Sequence, residues 1–231
     1  MLLLALETTS RRGQIALSRD GTIFDRDALP ESRQASEMLA SVVKDLLDRN
    51  TTTPHDLDAV AVSCGPGSFT GTRVSVTFAK MLTAFTKAKL VGVSTADVVV
   101  RRVDPTENKA CVVFDARRKS IWAQPYECRN DDWHRVGEPL LIDPKRLVDH
   151  VPTDVVLIGE GVSYYSDALS DYRVHADFWP DIADVVMLAS ARLQRGEQDD
   201  PAGFVPTYVR PPQAVENLQS SPARDAVQGV S

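Results

Sequence analysis

This chain of 231 residues has no paired cysteines, no paired histidines and no basic blocks. Its three cysteines, Cys64, Cys111 and Cys128, are odd in number and far apart. That argues for a reducing compartment and against a disulfide framework or a zinc site. The four histidines (His55, His134, His150, His175) are dispersed, and none forms an i, i+4 pair on one helix. Metal-hydrolase chemistry of the His-Glu-x-x-His kind is therefore unsupported. The net charge is −6, with no lysine-rich or arginine-rich block, so tight direct nucleic-acid binding is not expected from the sequence, although folding can still assemble a local patch. No apolar run approaches membrane-spanning length. The opening Met1–Leu6 lacks a basic flank, is short and meets Glu7 at once. It reads as a buried first strand rather than a leader, and the expected location is the cytoplasm, away from membranes.

What the chain does have is a glycine-rich junction, Ser63-Cys64-Gly65-Pro66-Gly67-Ser68-Phe69-Thr70-Gly71-Thr72-Arg73-Val74. An apolar run, Leu57 to Val62, enters it as a strand, and an apolar-periodic segment, Val74 to Phe85, leaves it as a helix. Three glycines and a proline let the backbone turn sharply, and Ser68 or Thr70 can cap the helix. Backbone N–H groups at such an apex can hold a phosphate or carboxylate. The Gly-Lys-Ser/Thr ending of a P-loop is missing; the nearest basic residues, Arg73 and Lys80, lie inside the helix. Local pattern therefore weights a turn that packs helix on sheet above an anion site. Gly67-Ser68-Phe69-Thr70-Gly71 does not match the Gly-x-Ser-x-Gly nucleophile elbow. Cys64 fits an inert thiol at a strand end better than an activated one.

Around the junction the order of elements repeats. Leu2–Glu7 reads as a strand, and Gln14–Ser18 and Thr22–Ala28 flank the hairpin signal Asp20-Gly21. A helix follows over Ala35–Arg49, then the junction, a strand at Leu90–Val93 and a short helix from Thr95. Polar residues Asp104–Lys109 mark a boundary. Beyond it come strands at Cys111–Asp115, Ile121–Cys128 and Trp133–Val136, a helix start at Asp143-Pro144, a strand at Val155–Ile158 entering Gly159-Glu160-Gly161, and a helix over Ile182–Arg195. Leu4–Arg12 answers Val112–Lys119. Two β-β-β-α-β-α units in tandem imply two α/β lobes with mixed sheets, residues 1–105 and 106–210, followed by a polar tail, 211–231, without periodicity. A cleft between lobes is the default ligand site. Glu7 and Asp115 end the first strand of each half; they read first as carboxylates accepting turn N–H groups, and second as holders of a metal-bound phosphate. A nucleotide site, if present, would comprise Gly65, Gly67, Ser68, Gly71, Glu7 and Asp115.

Several ordered segments resemble the TsaB (YeaZ) family of bacterial proteins, partners in making threonylcarbamoyladenosine in tRNA. They are Leu4–Thr9, Gly65–Gly71 with Arg73-Val74, Gly92–Thr95, Asp115–Arg118 and Pro206–Arg210, and the resemblance spans Leu2 to about Arg210. It implies the duplicated actin/sugar-kinase/Hsp70-like (ASKHA) α/β fold, in agreement with the repeat. It also implies a non-catalytic subunit of a complex that threonylcarbamoylates adenosine 37 in tRNAs reading ANN codons. The implied partners are a catalytic paralogue, TsaD, which carries the metal-binding histidines, and an ATPase, TsaE. No cofactor is expected on this chain alone; ATP or ADP belongs at the complex interface, and tRNA is met indirectly. The alternative is a glycoprotease-like peptidase or a phosphotransferase acting alone, which the missing triad, metal ligands and P-loop lysine disfavour. Glu7 replaces a common aspartate, Ala35 a common histidine, Thr72 a larger apolar residue and Ser75 a glycine.

Both lobe-one helices carry more apolar residues than the roughly 100° arc a sheet requires. By resemblance these helices pair with their counterparts on TsaD in a four-helix interface, or with a second copy when TsaD is absent. The expected contact residues are Met38, Val42, Arg73, Val76, Ala79, Lys80 and Thr83.

Overall fold

A computed structural model describes residues 1–30, 35–175 and 177–210. The tail 211–231 and the side chain of Ala35 lie outside the described part. In chain order the first half supplies β1 (Leu2–Glu7), β2 (Gln14–Arg19), β3 (Thr22–Ala28), α1 (Ala35–Arg49), β4 (Ala59–Ser63), α2 (Phe69–Phe85), β5 (Lys89–Val93) and α3 (Thr95–Val100). The second half supplies β6 (Lys109–Asp115), β7 (Ile121–Arg129), β8 (Asp132–Arg135), β9 (Leu140–Ile142), β10 (Val156–Ile158), α4 (Glu160–Tyr164), β11 (Arg173–Val174) and α5 (Ile182–Gln194).

Each half builds one mixed sheet. The first has the order β3-β2-β1-β4-β5 and the second β11-β10-β6-β7-β8, with β9 on the far end of β7. In both, the first three strands run antiparallel and two later ones join parallel, β4 and β5 in the first and β10 and β11 in the second, where β9 adds an antiparallel pairing. The duplication read from the sequence is thus a duplication of topology. The β2–β3 turn places Asp20 and Gly21 at φ 50° and 83°, the backbone that a two-residue hairpin of this twist demands.

The strands of the first sheet alternate large with small side chains, not apolar with polar. Leu4, Leu6, Ile15, Leu17, Val60 and Val62 face α1 and α2 in one core. Ala5, Ala16, Ala59 and Ala61, with Leu3, Val91 and Val93, point to the other face. Both faces of the central strands β1 and β4 are buried, as parallel strands between helical layers require. The helix on the alanine face is α5, from the opposite end of the chain: Ile182, Val185, Val186 and Ala189 close that core. The exchange is reciprocal. Ala96, Val99 and Val100 of α3 pack on Val112, Phe114, Tyr126 and Ile158 of the second sheet. Asp97 of α3 accepts from Tyr126 Oη at 2.7 Å and from the Arg135 guanidinium in two bonds of 2.7 Å. A cut at 105/106 falls between the sheets but strips each of its covering helix.

The structure departs from the sequence reading where elements are short. The first-half strand expected at Leu57 starts at Ala59, because the Asp58 carboxylate turns back to accept from Leu2 N at 2.6 Å. Asp143-Pro144 opens a six-residue 3₁₀ stretch, Pro144–Asp149, capped by Asp143 on Lys145 N at 2.9 Å. The elements β9, α4 and β11 are too brief to show a period.

The exchange makes the two cores one cooperative unit. Ile182→Ala should cost about 2–5 kcal/mol, the usual range for truncating a fully buried aliphatic side chain. All three tryptophans, Trp122, Trp133 and Trp179, lie in the second half. The transition followed by tryptophan fluorescence should therefore fall together with the one followed by far-UV circular dichroism; separate transitions would contradict the shared core.

Candidate functional site

Two surfaces collect the residues singled out above: the outer face of α1 and α2, and the ends of β1, β4 and β6 where the lobes meet. On α2 the stripe against the sheet is Gly71, Thr72, Ser75, Val76, Ala79 and Thr83, all buried. The large apolar residues stand outside. Phe69 is 58 % exposed, Met81 47 % and Phe85 77 %, and Met38 of α1 is 40 % exposed. Val42, Val74 and Phe78 are half-buried and pack down onto the core. Between the helices runs a groove of about 460 Å³ lined by Leu39, Arg73, Val74, Phe78 and Met81 among others. A second, of about 650 Å³, follows the other flank of α2 past Lys80 and Met81 to Asp200–Ala202.

This inverts part of the expected contact set. Val76, Ala79 and Thr83 face the sheet, since α2 lies so close to it that only small side chains fit. Met38, Val42 and Arg73 remain at the outer face. Arg73 stacks its guanidinium on Phe69 at 5.0 Å, and Phe69 meets Tyr208 with ring centroids 5.3 Å apart. Lys80 reaches the C-terminal segment, donating to Phe204 O at 2.8 Å. Thr72 and Ser75 are interior too: Thr72 Oγ1 donates to Ser68 O at 2.7 Å and Ser75 Oγ to Gly71 O at 3.3 Å.

The glycine junction is packed from both sides. The Gly65-Pro66 peptide is cis. A Cβ on Gly65 would stand 2.2 Å from Thr207 O, on Gly67 2.4 Å from Thr9 O and on Gly71 2.0 Å from Thr8 O. Ser68 caps α2, its Oγ accepting from Gly71 N at 3.2 Å, and Ser68 N donates to Thr9 O at 2.7 Å. Two of the amides at the apex, Ser68 N and Gly71 N, thus already have protein acceptors. The arrangement favours the backbone-shaping reading.

The strand-end carboxylates are both held by their own turns. Glu7 is wholly buried; Oε1 accepts from Thr9 N and Thr9 Oγ1, each at 2.6 Å. Its Oε2 and the buried Ser63 Oγ have no hydrogen-bond partner. Burial pushes the Glu7 pKa up, opposed by the hydroxyls of Ser63 and Thr9 and the amides of Thr9 and Ser10. A proton on Oε2 would make it a donor towards Ser63. Asp115 is half-buried; it accepts from Arg117 N at 2.8 Å and Tyr165 Oη at 2.9 Å, and its other oxygen lies 3.3 Å from the Arg117 guanidinium. Burial raises the Cys64 thiol pKa, and its sulfur lies 3.9 Å from Thr207 Oγ1, in keeping with an inert thiol. Among the described residues no group of three or more His, Cys, Asp or Glu could hold a metal.

Residues 29–218 match the family model described as TsaD, tRNA N6-adenosine threonylcarbamoyltransferase. The tRNA threonylcarbamoyladenosine biosynthesis protein TsaB of Bacillus subtilis is 26% identical over 216 residues, 91% of this chain and 94% of that protein. Its Escherichia coli namesake is 28% identical over 175 residues, 72% of this chain and 74% of that protein. The chain belongs to this family, among its TsaB (YeaZ) members. A Pseudomonas aeruginosa structure described as similar to peptidase YEAZ superposes with a TM-score of 0.77 at 25% identity, covering 90% of this chain and 99% of that one. Another, YeaZ from Pseudomonas aeruginosa, gives 0.75 at 24% identity, covering 90% and 100%.

In this TsaB-family chain a C-terminal strap, 199–210, ties the pieces together. Asp199 Oδ2 accepts from Gly92 N at 2.7 Å, and Phe204 packs on Gly92. Thr207 N donates to Cys64 O at 2.7 Å, and Arg210 Nε to Ala116 O at 2.7 Å in the second lobe. Sequence reading recognised Pro206–Arg210 as a motif but not that it bridges the lobes; the signal available was Gly92, a glycine inside a strand, which marks a close approach.

Two outcomes follow from this geometry. Gly71→Ala should lose about 1–3 kcal/mol or more by overpacking, read as an earlier urea midpoint, with Thr70→Ala as the neutral control. For Glu7 the native pKa is raised, so the protonated side chain stabilises fully below the unfolded value of about 4.5. That stability is lost as pH rises from there towards the native value. Glu7→Gln, neutral throughout, should remove this decline in a series of denaturant titrations; an unchanged slope would show that Glu7 is ionised in the fold.

Proposed function

We propose that this chain is a non-catalytic subunit that docks a TsaD-like catalytic paralogue through the outer face of α1 and α2, within an assembly that threonylcarbamoylates adenosine 37 of ANN-reading tRNAs. The observation that carries this is the groove between the two helices, lined by Leu39, Arg73, Val74, Phe78 and Met81 among others, with Met38 and Met81 exposed on the two helices. Contiguous apolar surface of this kind marks interaction sites, and family membership supplies the class of partner. The residues that remain for the contact are Met38, Val42 and Arg73, now joined by Phe69, Met81 and Phe85.

A TsaE-like ATPase joins the same assembly in this reading, and ATP or ADP sits at the subunit interface instead of on the glycine junction alone. Without the paralogue the same face pairs with a second copy. No helix among the described residues is long and apolar enough to cross a membrane, which fits a place in the cytoplasm with tRNA. The dispersed histidines and the missing nucleophile elbow support a supporting role over peptidase chemistry.

Met38→Glu and Met81→Glu should each leave the monomer folded and weaken association with the paralogue by about two orders of magnitude, since burying an unpaired carboxylate costs several kcal/mol. Threonylcarbamoyladenosine should then disappear from tRNA, read by nucleoside mass spectrometry. Val76→Glu, at an interior position, should unfold the chain. Wild-type association with both exposed variants would place the docking face elsewhere, and ATP or peptide hydrolysis by the pure chain would overturn the non-catalytic role.

A further inference from the structure

The loops that follow the first strand of each lobe carry cations at equivalent places: Arg11 and Arg12 after β1, and Arg117, Arg118 and Lys119 after β6. All five are exposed, in a chain whose net charge is −6. Folding brings the two loops to one rim. Glu160, at the start of α4, lies within electrostatic reach of both Arg117 and Arg11, and Tyr165 within reach of Arg117 and Arg210. Arg210 arrives on the strap, its Nε 2.7 Å from Ala116 O. Arg12 lies over the Trp179 ring at 4.8 Å. Acids among the described residues here include Asp115, paired to Arg117 at 3.3 Å, and Glu160.

The second loop is costly to build. Arg117, Arg118 and Lys119 take φ of 60°, 52° and 58° in succession. Left-handed backbone costs an L-residue with a Cβ roughly 1–2 kcal/mol, and glycine or asparagine would serve the turn better. The turn is held regardless: Asp115 Oδ1 accepts from Arg117 N at 2.8 Å, Ala116 N donates to Ser120 O at 3.0 Å and Ser120 N to Arg117 O at 3.1 Å. Strain that the surroundings enforce clusters at functional sites. Here it fixes three long cationic side chains in one short turn.

We propose that this rim, Arg11, Arg12, Arg117, Arg118, Lys119 and Arg210, binds the phosphodiester backbone of RNA, so that the chain touches its nucleic acid directly. Five long exposed cations from two loops, with the half-buried Arg210 beside them, suit an extended polyanion more than a single phosphate, and phosphate contacts position a protein without reading sequence. The identity of the RNA as tRNA rests on the proposed function; the rim itself does not.

The test uses the full chain, alone and assembled with its TsaD-like paralogue, against fluorescently labelled unmodified tRNA, with anisotropy read across a salt series. Two variants come from different lobes: R117N/R118N/K119N, in which asparagine tolerates the left-handed turn, and R11Q/R12Q. Each should weaken tRNA binding by about tenfold or more and flatten the dependence of log affinity on log salt by about 0.7–0.9 for every phosphate left without its cation. The melting temperature and association with the paralogue should be unchanged. Unaltered affinity and salt slope in the folded variants would overturn the proposal, and R11Q/R12Q decides alone if the triple variant fails to fold. Displacement of tRNA by ATP at comparable concentration would identify a small-anion site and overturn it as well. If wild-type chain and paralogue do not associate, the docking reading fails, while weaker tRNA binding by the variants of the lone chain still upholds the rim.

Discussion

The helix that leaves the glycine junction lies against β4 and the Thr8–Thr9 loop only because its inner stripe is small. At Gly71 the loop carbonyl stands where a Cβ would be, and Thr72, Ser75, Val76, Ala79 and Thr83 continue the same close packing. Phe69, Met81 and Phe85 are left exposed, while Val74, Phe78 and Leu82 pack sideways onto the core. A packing requirement of the interior thus sets the character of the exterior, and the apolar face of α1 and α2 is its by-product as much as a separate design.

The same inversion explains what could and could not be read from the residues. Element order, the hairpin at Asp20-Gly21, the cap at Ser68 and the duplicated topology were legible because each has a local signal: alternation, a turn pair, a side-chain oxygen before a periodic run. The orientation of α2 was not. Val76, Ala79 and Thr83, expected at the contact face, and the row Val74, Phe78 and Met81 both fit a helical period, so periodicity cannot say which row meets the sheet. What decides is how near the helix comes to the sheet, and that depends on Thr8 and Thr9, some sixty residues away. The strap was invisible for a related reason. Its hydrogen bonds run from Asp199 to Gly92 and from Arg210 to Ala116, and such pairings leave no periodic trace. The cationic rim escaped because Arg11-Arg12 and Arg117-Arg118-Lys119 are short separate runs until folding joins them.

The two lobes share a topology but have diverged in what they offer. Both end the first strand with a carboxylate gripped by the following turn, Glu7 by Thr9 and Asp115 by Arg117. Glu7 is sealed in and raised in pKa, whereas Asp115 is part of an ionic cluster at the surface. Where the first lobe has two long helices, the second has a 3₁₀ stretch, Pro144–Asp149, and the five-residue α4. Among the described residues, the first half alone pairs two long helices of its own, α1 and α2, over one face of its sheet. The pseudo-symmetric ancestor is legible in the sheets, and the specialisation lies in the layers that cover them.

The exchange of α3 and α5 carries a consequence for biosynthesis. The alanine face of the first sheet, complete in sequence at Val93, is closed by Ile182, Val185 and Val186. A ribosome adding about 5–20 residues per second takes on the order of ten seconds to make the intervening chain. Over that interval the nascent first lobe presents Leu3, Val91 and Val93 to solvent together with Ala5, Ala16, Ala59 and Ala61, and the four alanines limit the apolar area left uncovered. Bulky residues in those places would gain burial in the finished protein, at the expense of a stickier intermediate. The alanines let α5 dock closely at the end and keep the waiting sheet quiet until it does.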